Sequence, residues 1–418
     1  MASLCLSTTQ TDAFDRILSD AVSNKSTGAL FFGVTTAEKA IYMRTGGTKL
    51  VDDPSSETID DNTIFWLCSQ TKMITTIAAL QLIDQGKIAL DTPVEAVLPE
   101  LANPVVVTSH DAAGHPAATA PAKEKIRFGH LLNHSSGLNY MLDGTTPASG
   151  MPVAYSHSYK DQDVSAFFKI LKGSLPGIPL AFEPGTNYAY GFSTDCAGFI
   201  VERLSGKTLE QYFQDHIFTP LGITSASFYL TPQLKDRLLP LSYRNKSGVV
   251  ERWKRAPVID QDPANVRVHL GGVGLYASQK DYLTLLQHLL QIKAGSATNP
   301  ILSRAAVDSM FSPTLPPAGA ATMDRERITN DPYLSLPAGS TQFSRGLLVN
   351  TADVPEKRRS GSGAWGGWAS TSFLIDPQAG VAAVFGMQLV PTGDDVHMRL
   401  LDVLERGVYA GLINDAKL

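Results

Sequence analysis

The chain has 418 residues, 43% hydrophobic and 18% charged, a balance that suits a compact protein with a substantial buried core. A formal net charge of −5 excludes the basic footprint of a nucleic-acid binder and the polybasic patch of a membrane-surface protein, leaving small neutral or mildly polar partners. Its apolar runs fall short of the roughly 18 residues of a membrane span. The N-terminus lacks a signal-peptide pattern, and Cys5, Cys68 and Cys196 show no CxxC spacing, so a reduced, cytoplasmic protein is expected.

Phe14, Ile17, Leu18 and Val22 recur at helical spacing and predict an amphipathic first helix. Residues 30–34 and 40–43 read as adjacent antiparallel strands joined by a polar turn. Ile64-Phe65-Trp66 leads towards Ser69, and the segment carrying Met73, Ile74, Ile77, Ala78, Leu80, Leu82 and Ile83 is apolar on most faces. That pattern predicts a helix buried at the centre of the protein and ended by Gly86. Residues 104–124, rich in Ala, Pro and Thr, read as a surface excursion. Helices are expected over 127–133, 164–171, 195–204 and 209–218, which makes the middle of the chain mostly helix and loop. A glycine-rich strand or turn at 271–276 precedes a helix over 279–292. Strands then recur at 346–349, 372–375 and 381–385, and a helix over about 394–412 closes the chain.

Ser69-Gln70-Thr71-Lys72 places a serine and a lysine three residues apart at the start of the buried helix. Positions i and i+3 share a helix face, so the ammonium reaches the hydroxyl. The positive end of the helix dipole favours charge developing on the serine oxygen, and a lysine in an apolar site accepts a proton more readily. Neighbouring Cys68 points about 100° away and should face the core. No Gly-x-Ser-x-Gly elbow is present, and Gly271 to Gly274 lacks dinucleotide-fingerprint spacing. His130 and His134 stand at i, i+4 with no third ligand nearby, so no metal is expected; His134 is expected to bond backbone in the following turn.

With Leu131-Leu132-Asn133-His134-Ser135-Ser136-Gly137-Leu138, Glu183-Pro184-Gly185-Thr186, Tyr190-Gly191-Phe192 and Gly271-Gly272-Val273-Gly274-Leu275 following in order, the chain resembles the penicillin-recognising serine enzymes. Within them it is most similar to β-lactamase-like esterases and transesterases, among them fungal polyketide acyltransferases. The resemblance implies an α/β (α+β) fold of the serine β-lactamase/DD-peptidase type: an antiparallel sheet flanked by helices, plus a mostly helical second domain. The sheet domain would comprise residues 1–104 and 266–418, with 105–265 inserted as the helical domain.

By the same resemblance Ser69 is the nucleophile, and Lys72 and Tyr190 handle its proton. Tyr188 is the alternative two residues earlier, but Tyr190 stands at the family's interval from Pro184-Gly185-Thr186. Where β-lactamases carry Lys-Thr-Gly, this chain has Trp365-Gly366-Gly367, whose glycines let a strand backbone approach the substrate closely. Backbone N–H groups of Ser69 and of Trp368 or Gly367 would form the oxyanion hole.

Two departures redirect the chemistry: the lysine that anchors a substrate carboxylate is replaced by Trp365, and the usual Tyr-x-Asn reads Tyr190-Gly191-Phe192. Both argue against β-lactam or D-Ala-D-Ala substrates and for an ester or thioester of a small apolar molecule. Trp365, Gly366, Phe192, Tyr155 and Tyr159 are the expected substrate contacts, with loops 139–163 and 314–342 shaping an acyl or ring-system pocket. The expected partners are a small-molecule acyl donor and an acceptor alcohol or carrier-bound thioester, with no cofactor. The alternatives are a β-lactamase or DD-peptidase-type amide hydrolase, or a catalytically silent binding protein on the same fold.

Overall fold

The computed structural model describes residues 4–140, 151–255, 257–330 and 336–414. Helix α1 (Thr8–Ser23) is capped by the Ser7 side chain and buries Phe14 and Leu18. Strands β1 (Leu30–Thr36) and β2 (Ala40–Gly46) follow, then the short β3 (Ile64–Trp66), which runs into helix α2 (Thr71–Asp84). Every residue of α2 from Thr71 to Leu82 is buried, as its all-round apolar pattern predicts.

The segment read as a surface excursion is instead a hairpin of β4 (Val105–His110) and β5 (Pro116–Pro121). Its apolar half, Val105 and Val107, is buried, while the Ala- and Pro-rich return strand lies at the edge. Proline is compatible with an edge, where its missing N–H costs no ladder bond. Helices α3 (Phe128–Leu132), α4 (Val164–Lys172) and α5 (Ser193–Ser205) come next, and α5 packs against α2. Strand β6 (Tyr276–Ser278) pairs with β3 and leads into α6 (Gln279–Ala294).

Helix α7 (Pro317–Asn330) occupies most of the stretch expected to be a Pro-rich loop. Pro316-Pro317 had signalled a loop, yet a proline in the first turn lacks only an N–H that has no helical partner. Strands β7 (Thr341–Phe343), β8 (Leu348–Asn350), β9 (Gly363–Gly367), β10 (Thr371–Asp376) and β11 (Val381–Gly386) and helix α8 (Asp395–Gly411) complete these elements.

Seven strands form one antiparallel sheet in the order β7-β8-β9-β10-β11-β1-β2, so the two ends of the chain meet where β11 pairs with β1. Side chains alternate across it. On β11, Val381, Ala383 and Phe385 pack with Phe14, Leu404 and Val408 of α1 and α8. Ala382 and Val384 face the larger core that holds α2 and α6. Because both faces are covered, residues 30–34 are continuously apolar instead of alternating. Strand pairing also crosses the expected domain boundary. Ser242–Arg244 lies beside Leu389–Val390, and the Ile64 N–H donates to the Arg237 carbonyl, so residues 237–252 pack with the sheet.

Candidate active site

Ser69 sits in a single tight helical turn, Cys68–Gln70, between β3 and α2. Cys68 is held at φ +49°, a left-handed conformation that costs a non-glycine residue free energy and persists where surrounding contacts impose it. Those contacts come mainly from the glycine-rich turn 271–275. The Leu67 N–H donates to Leu275 O, the Leu275 N–H to Thr71 Oγ1, and the Thr75 hydroxyl to Gly271 O at 2.7 Å. The Trp66 indole N–H donates to Val273 O, also at 2.7 Å. The turn thus clamps the start of α2, and Ser69 remains 8% exposed in an otherwise closed neighbourhood.

Lys72, one helical turn on and 2% exposed, directs its ammonium at Ser69 Oγ (3.1 Å) and at the Gly272 carbonyl (2.8 Å). A heavy-atom separation of 3.1 Å serves proton transfer in either direction. Tyr190 completes the group: the Lys72 Nζ lies 4.7 Å from its ring centroid. The other candidate, Tyr188, is itself buried with Leu315, Met323 and Phe343, a cluster against which Tyr190 also packs. Gly191 makes this placement possible, because a Cβ there would lie 2.7 Å from Asn139 Cα, with no room for it.

Trp365 on β9 donates its indole N–H to the Tyr190 hydroxyl oxygen at 3.1 Å, with the two rings 5.0 Å apart. His134 lies on another side of Tyr190, ring centroids 5.0 Å apart. Its side chain does not bond backbone in the turn as expected: Nε2 lies 3.5 Å from Thr194 Oγ1, and Nδ1 is buried without a partner. Burial, and then the Lys72 charge, pushes this imidazole well below its usual range, so it forms a neutral wall beside the tyrosine.

The end of β9 presses on the segment before Ser69. A Cβ at Gly367 would lie 2.5 Å from the Leu67 carbonyl oxygen, so no larger residue fits without moving strand or turn. The Trp368 backbone N–H faces the Cys68 thiol; burial pushes that thiol up, while Lys72 and this N–H pull the other way. Cys68 is fully buried, its Sγ 4.0 Å from Ser69 Oγ.

A cavity of about 290 Å³ lies beyond Tyr140, with apolar Leu138, Ile170 and Phe192 and polar Asn139, Lys172 and Ser174 in its wall; Ser69, Lys72 and Tyr190 do not line it. Tyr140 connects it to the centre, its ring centroid 5.8 Å from Lys72 Nζ and 5.2 Å from that of Tyr190. Tyr155 and Tyr159, expected at the substrate, lie in the core. Tyr155 donates to Asp195 at 2.6 Å, Tyr159 to the Ala154 carbonyl at 2.7 Å, and neither lines this cavity. Of loop 139–163, residues 141–150 lie outside the described residues, as does Tyr333 of 314–342.

Sequence reasoning missed Asp195 and gave Gly272 no role beyond its motif, whereas Tyr140 belongs to loop 139–163, which was expected to shape the pocket. Asp195 in the first turn of a helix reads as an ordinary dipole partner, and nothing in its spacing marks it as fully buried. Among the described residues no group of three His, Cys, Asp or Glu side chains could hold a metal, and no helix is long and apolar enough to cross a membrane.

Comparison with known proteins agrees with this geometry. Residues 14–406 match the Beta-lactamase family. A lovastatin esterase from Penicillium rubens is 30% identical over 400 residues, covering 93% of this chain and 95% of that one. A monacolin J acid methylbutanoyltransferase from Aspergillus terreus is 31% identical over 353 residues, covering 82% and 81%. A simvastatin synthase mutant from Aspergillus terreus superposes with a TM-score of 0.79 at 28% identity, covering 96% of this chain and 95% of that one. The chain therefore belongs to the β-lactamase family, as an acyl hydrolase or acyltransferase of its esterase and transesterase branch that acts on small-molecule acyl donors and acceptors.

Proposed function

We propose that Ser69 takes an acyl group from an ester or thioester of a small apolar molecule and passes it to an acceptor alcohol or to water. The observation that carries this reading is the contact set of Ser69 Oγ with Lys72 Nζ, and of Tyr190 with Lys72 and Trp365. Ser69 Oγ attacks the acyl carbon while its proton passes to the Lys72–Tyr190 pair. The bond from the acyl carbon to the leaving oxygen or sulfur breaks, and the leaving group takes that proton. An incoming hydroxyl then gives its own proton to the pair and attacks the acyl carbon; the bond from that carbon to Ser69 Oγ breaks, and the pair returns the proton to Oγ.

The backbone N–H groups of Ser69 and Trp368 are proposed to stabilise the oxyanion; the glycine at 367, which brings β9 against Leu67, supports this. Trp365 stands in place of a lysine, and Phe192, buried among Tyr140, Tyr155 and Phe167, in place of an asparagine, so these two positions offer neither the charge nor the amide that a β-lactam-type substrate would use. An apolar acyl or ring system suits the cavity beside Tyr140 and Phe192. A carrier-bound thioester is a further donor class compatible with the same chemistry. We place the enzyme in the cytoplasm; the absence of a disulfide among the described residues supports a reducing compartment. The two lobes are taken as 1–104 with 266–418, joined by the sheet-packed residues 237–252, and the remainder of 105–265, with the site between them.

The test is p-nitrophenyl butyrate turnover by wild type and Ser69→Ala, with intact mass after acid quench. Turnover lost in the variant and a butyryl adduct on wild-type Ser69 are the expected results. Folded wild-type protein with neither turnover nor adduct from this ester or from a butyryl thioester would remove the reading.

A further inference from the structure

Asp195, in the first turn of α5, is fully buried. Its Oδ1 accepts from the Gly272 N–H at 2.8 Å and its Oδ2 from the Tyr155 hydroxyl at 2.6 Å. Both oxygens accept, the short contact is of charge-assisted length, and this pattern suits an ionised carboxylate. Gly272, whose N–H reaches Asp195, offers its carbonyl to Lys72 Nζ at 2.8 Å. A Cβ on Gly272 would lie 2.6 Å from Asp195 Oδ2 and 2.8 Å from Tyr155 Oη, so the carboxylate rests directly against glycine backbone.

A buried carboxylate with two donors is still costly without a nearby positive charge. The titratable groups facing Lys72 come from several elements: Cys68 beside the nucleophile, His134 after α3, Tyr140, Tyr190 and Asp195. Asp195 is the carboxylate among them. Around Asp195 stand Tyr155, Tyr140 and Tyr159, whose hydroxyls are pushed up by burial first and by the Asp195 charge behind it, and the buried thiol of Cys196. Burial raises Asp195 itself, and the Lys72 charge acts against that rise.

We propose that Asp195 is a positioning residue for acyl transfer: through the Gly272 backbone and the Tyr155 hydroxyl it fixes where Lys72 Nζ sits, and it supplies the negative charge that balances the ammonium. The proposal rests on the reading of Lys72 as proton carrier. Asp195 touches neither Ser69 nor a substrate and acts wholly through its neighbours. Tyr140, 2.9 Å from Tyr155 Oη, extends the same chain of hydroxyls to the wall of the cavity.

The experiment is the pH dependence of kcat and KM for p-nitrophenyl butyrate in wild type, Asp195→Asn and Tyr155→Phe, with near-UV circular dichroism and Tm as fold checks. Asparagine keeps the shape and an acceptor for the Gly272 N–H but removes the charge. The acid limb of kcat/KM is expected to move about one pH unit lower, because the protonated site has lost its counter-charge. Plateau kcat is expected to fall about tenfold, the size of one lost charge-assisted hydrogen bond, with KM nearly unchanged. Tyr155→Phe leaves the carboxylate one donor short and should shift the limb the same way by less.

A folded Asp195→Asn whose acid limb coincides with that of wild type overturns the proposal. If that variant does not fold, an unshifted Tyr155→Phe limb overturns it. Lys72→Ala and Ser69→Ala separate this from failure of the underlying reading. If both are inactive and the limb does not move, the Asp195 role alone falls; if either keeps wild-type turnover, the catalytic assignment falls first.

Discussion

The Trp365 indole N–H donates to the Tyr190 hydroxyl oxygen at 3.1 Å, from the strand position where β-lactamases carry the lysine of Lys-Thr-Gly. A neutral, oriented donor thus occupies a place that the resemblance assigns to a cation. Trp365→Phe keeps the aromatic body and deletes the donor. A hydrogen bond to a hydroxyl contributes about 0.5–1.5 kcal/mol, so kcat/KM should fall roughly 2- to 10-fold, mostly in kcat. Unchanged kinetics would reduce Trp365 to an apolar wall.

The close approach of β9 to Leu67 makes Gly367 sensitive to a single methyl group. Gly367→Ala should lower kcat about 100-fold, the scale of a misplaced oxyanion donor. The acyl-enzyme should then form slowly, and quenched-flow mass spectrometry would read that rate directly. A fast burst followed by slow turnover would place the defect in deacylation instead.

Phe192 and Tyr140 line the cavity near Lys72, so Phe192→Ala should widen acyl preference. The ratio of p-nitrophenyl hexanoate to butyrate kcat/KM is expected to rise several-fold, since one or two methylenes in an apolar pocket contribute about 1–3 kcal/mol. A constant ratio would mean that the acyl chain lies elsewhere.

Tyr155→Ala and Tyr159→Ala are expected to act on stability. Both side chains are buried and hydrogen-bonded inside the core, and truncating a large aromatic there costs about 3–5 kcal/mol. Urea titration should show the loss in both variants. Tyr159→Ala should leave the ratio of substrate preferences as it was.

His397 on α8 is buried against Phe385, with neither ring nitrogen hydrogen-bonded. Burial pushes it down to about 4, partly opposed by Asp394. An unfolded histidine binds its proton near 6.5, so between these values the unfolded chain holds more protons and stability rises with pH. The contribution is complete above about pH 6.5 and is lost as pH falls through about 4, the loss amounting to about 2.5 kcal/mol by pH 4.5. His397→Leu should flatten this part of the stability profile, as measured by urea melts at pH 7 and 4.5.

The sequence by itself determined most of the elements, though not the 105–121 hairpin or α7, the buried helix behind Ser69, and the motifs that make Ser69, Lys72 and Tyr190 the candidates. These are local signals: apolar periodicity follows helix and strand geometry, and an i, i+3 pair on one helix meets regardless of the rest of the fold. Tertiary structure alone decided what surrounds them. Asp195 reads as a routine first-turn acid, Gly272 as turn punctuation and Tyr140 as a loop aromatic. They meet beside Lys72 because α5 packs on α2 and the 271–275 turn closes over both. Tyr155 and Tyr159, expected at the substrate, are buried for the converse reason: the neighbours that cover them come from segments distant in sequence. Burial and electrostatic partnership are set by contacts between residues distant in sequence, and no local pattern encodes them.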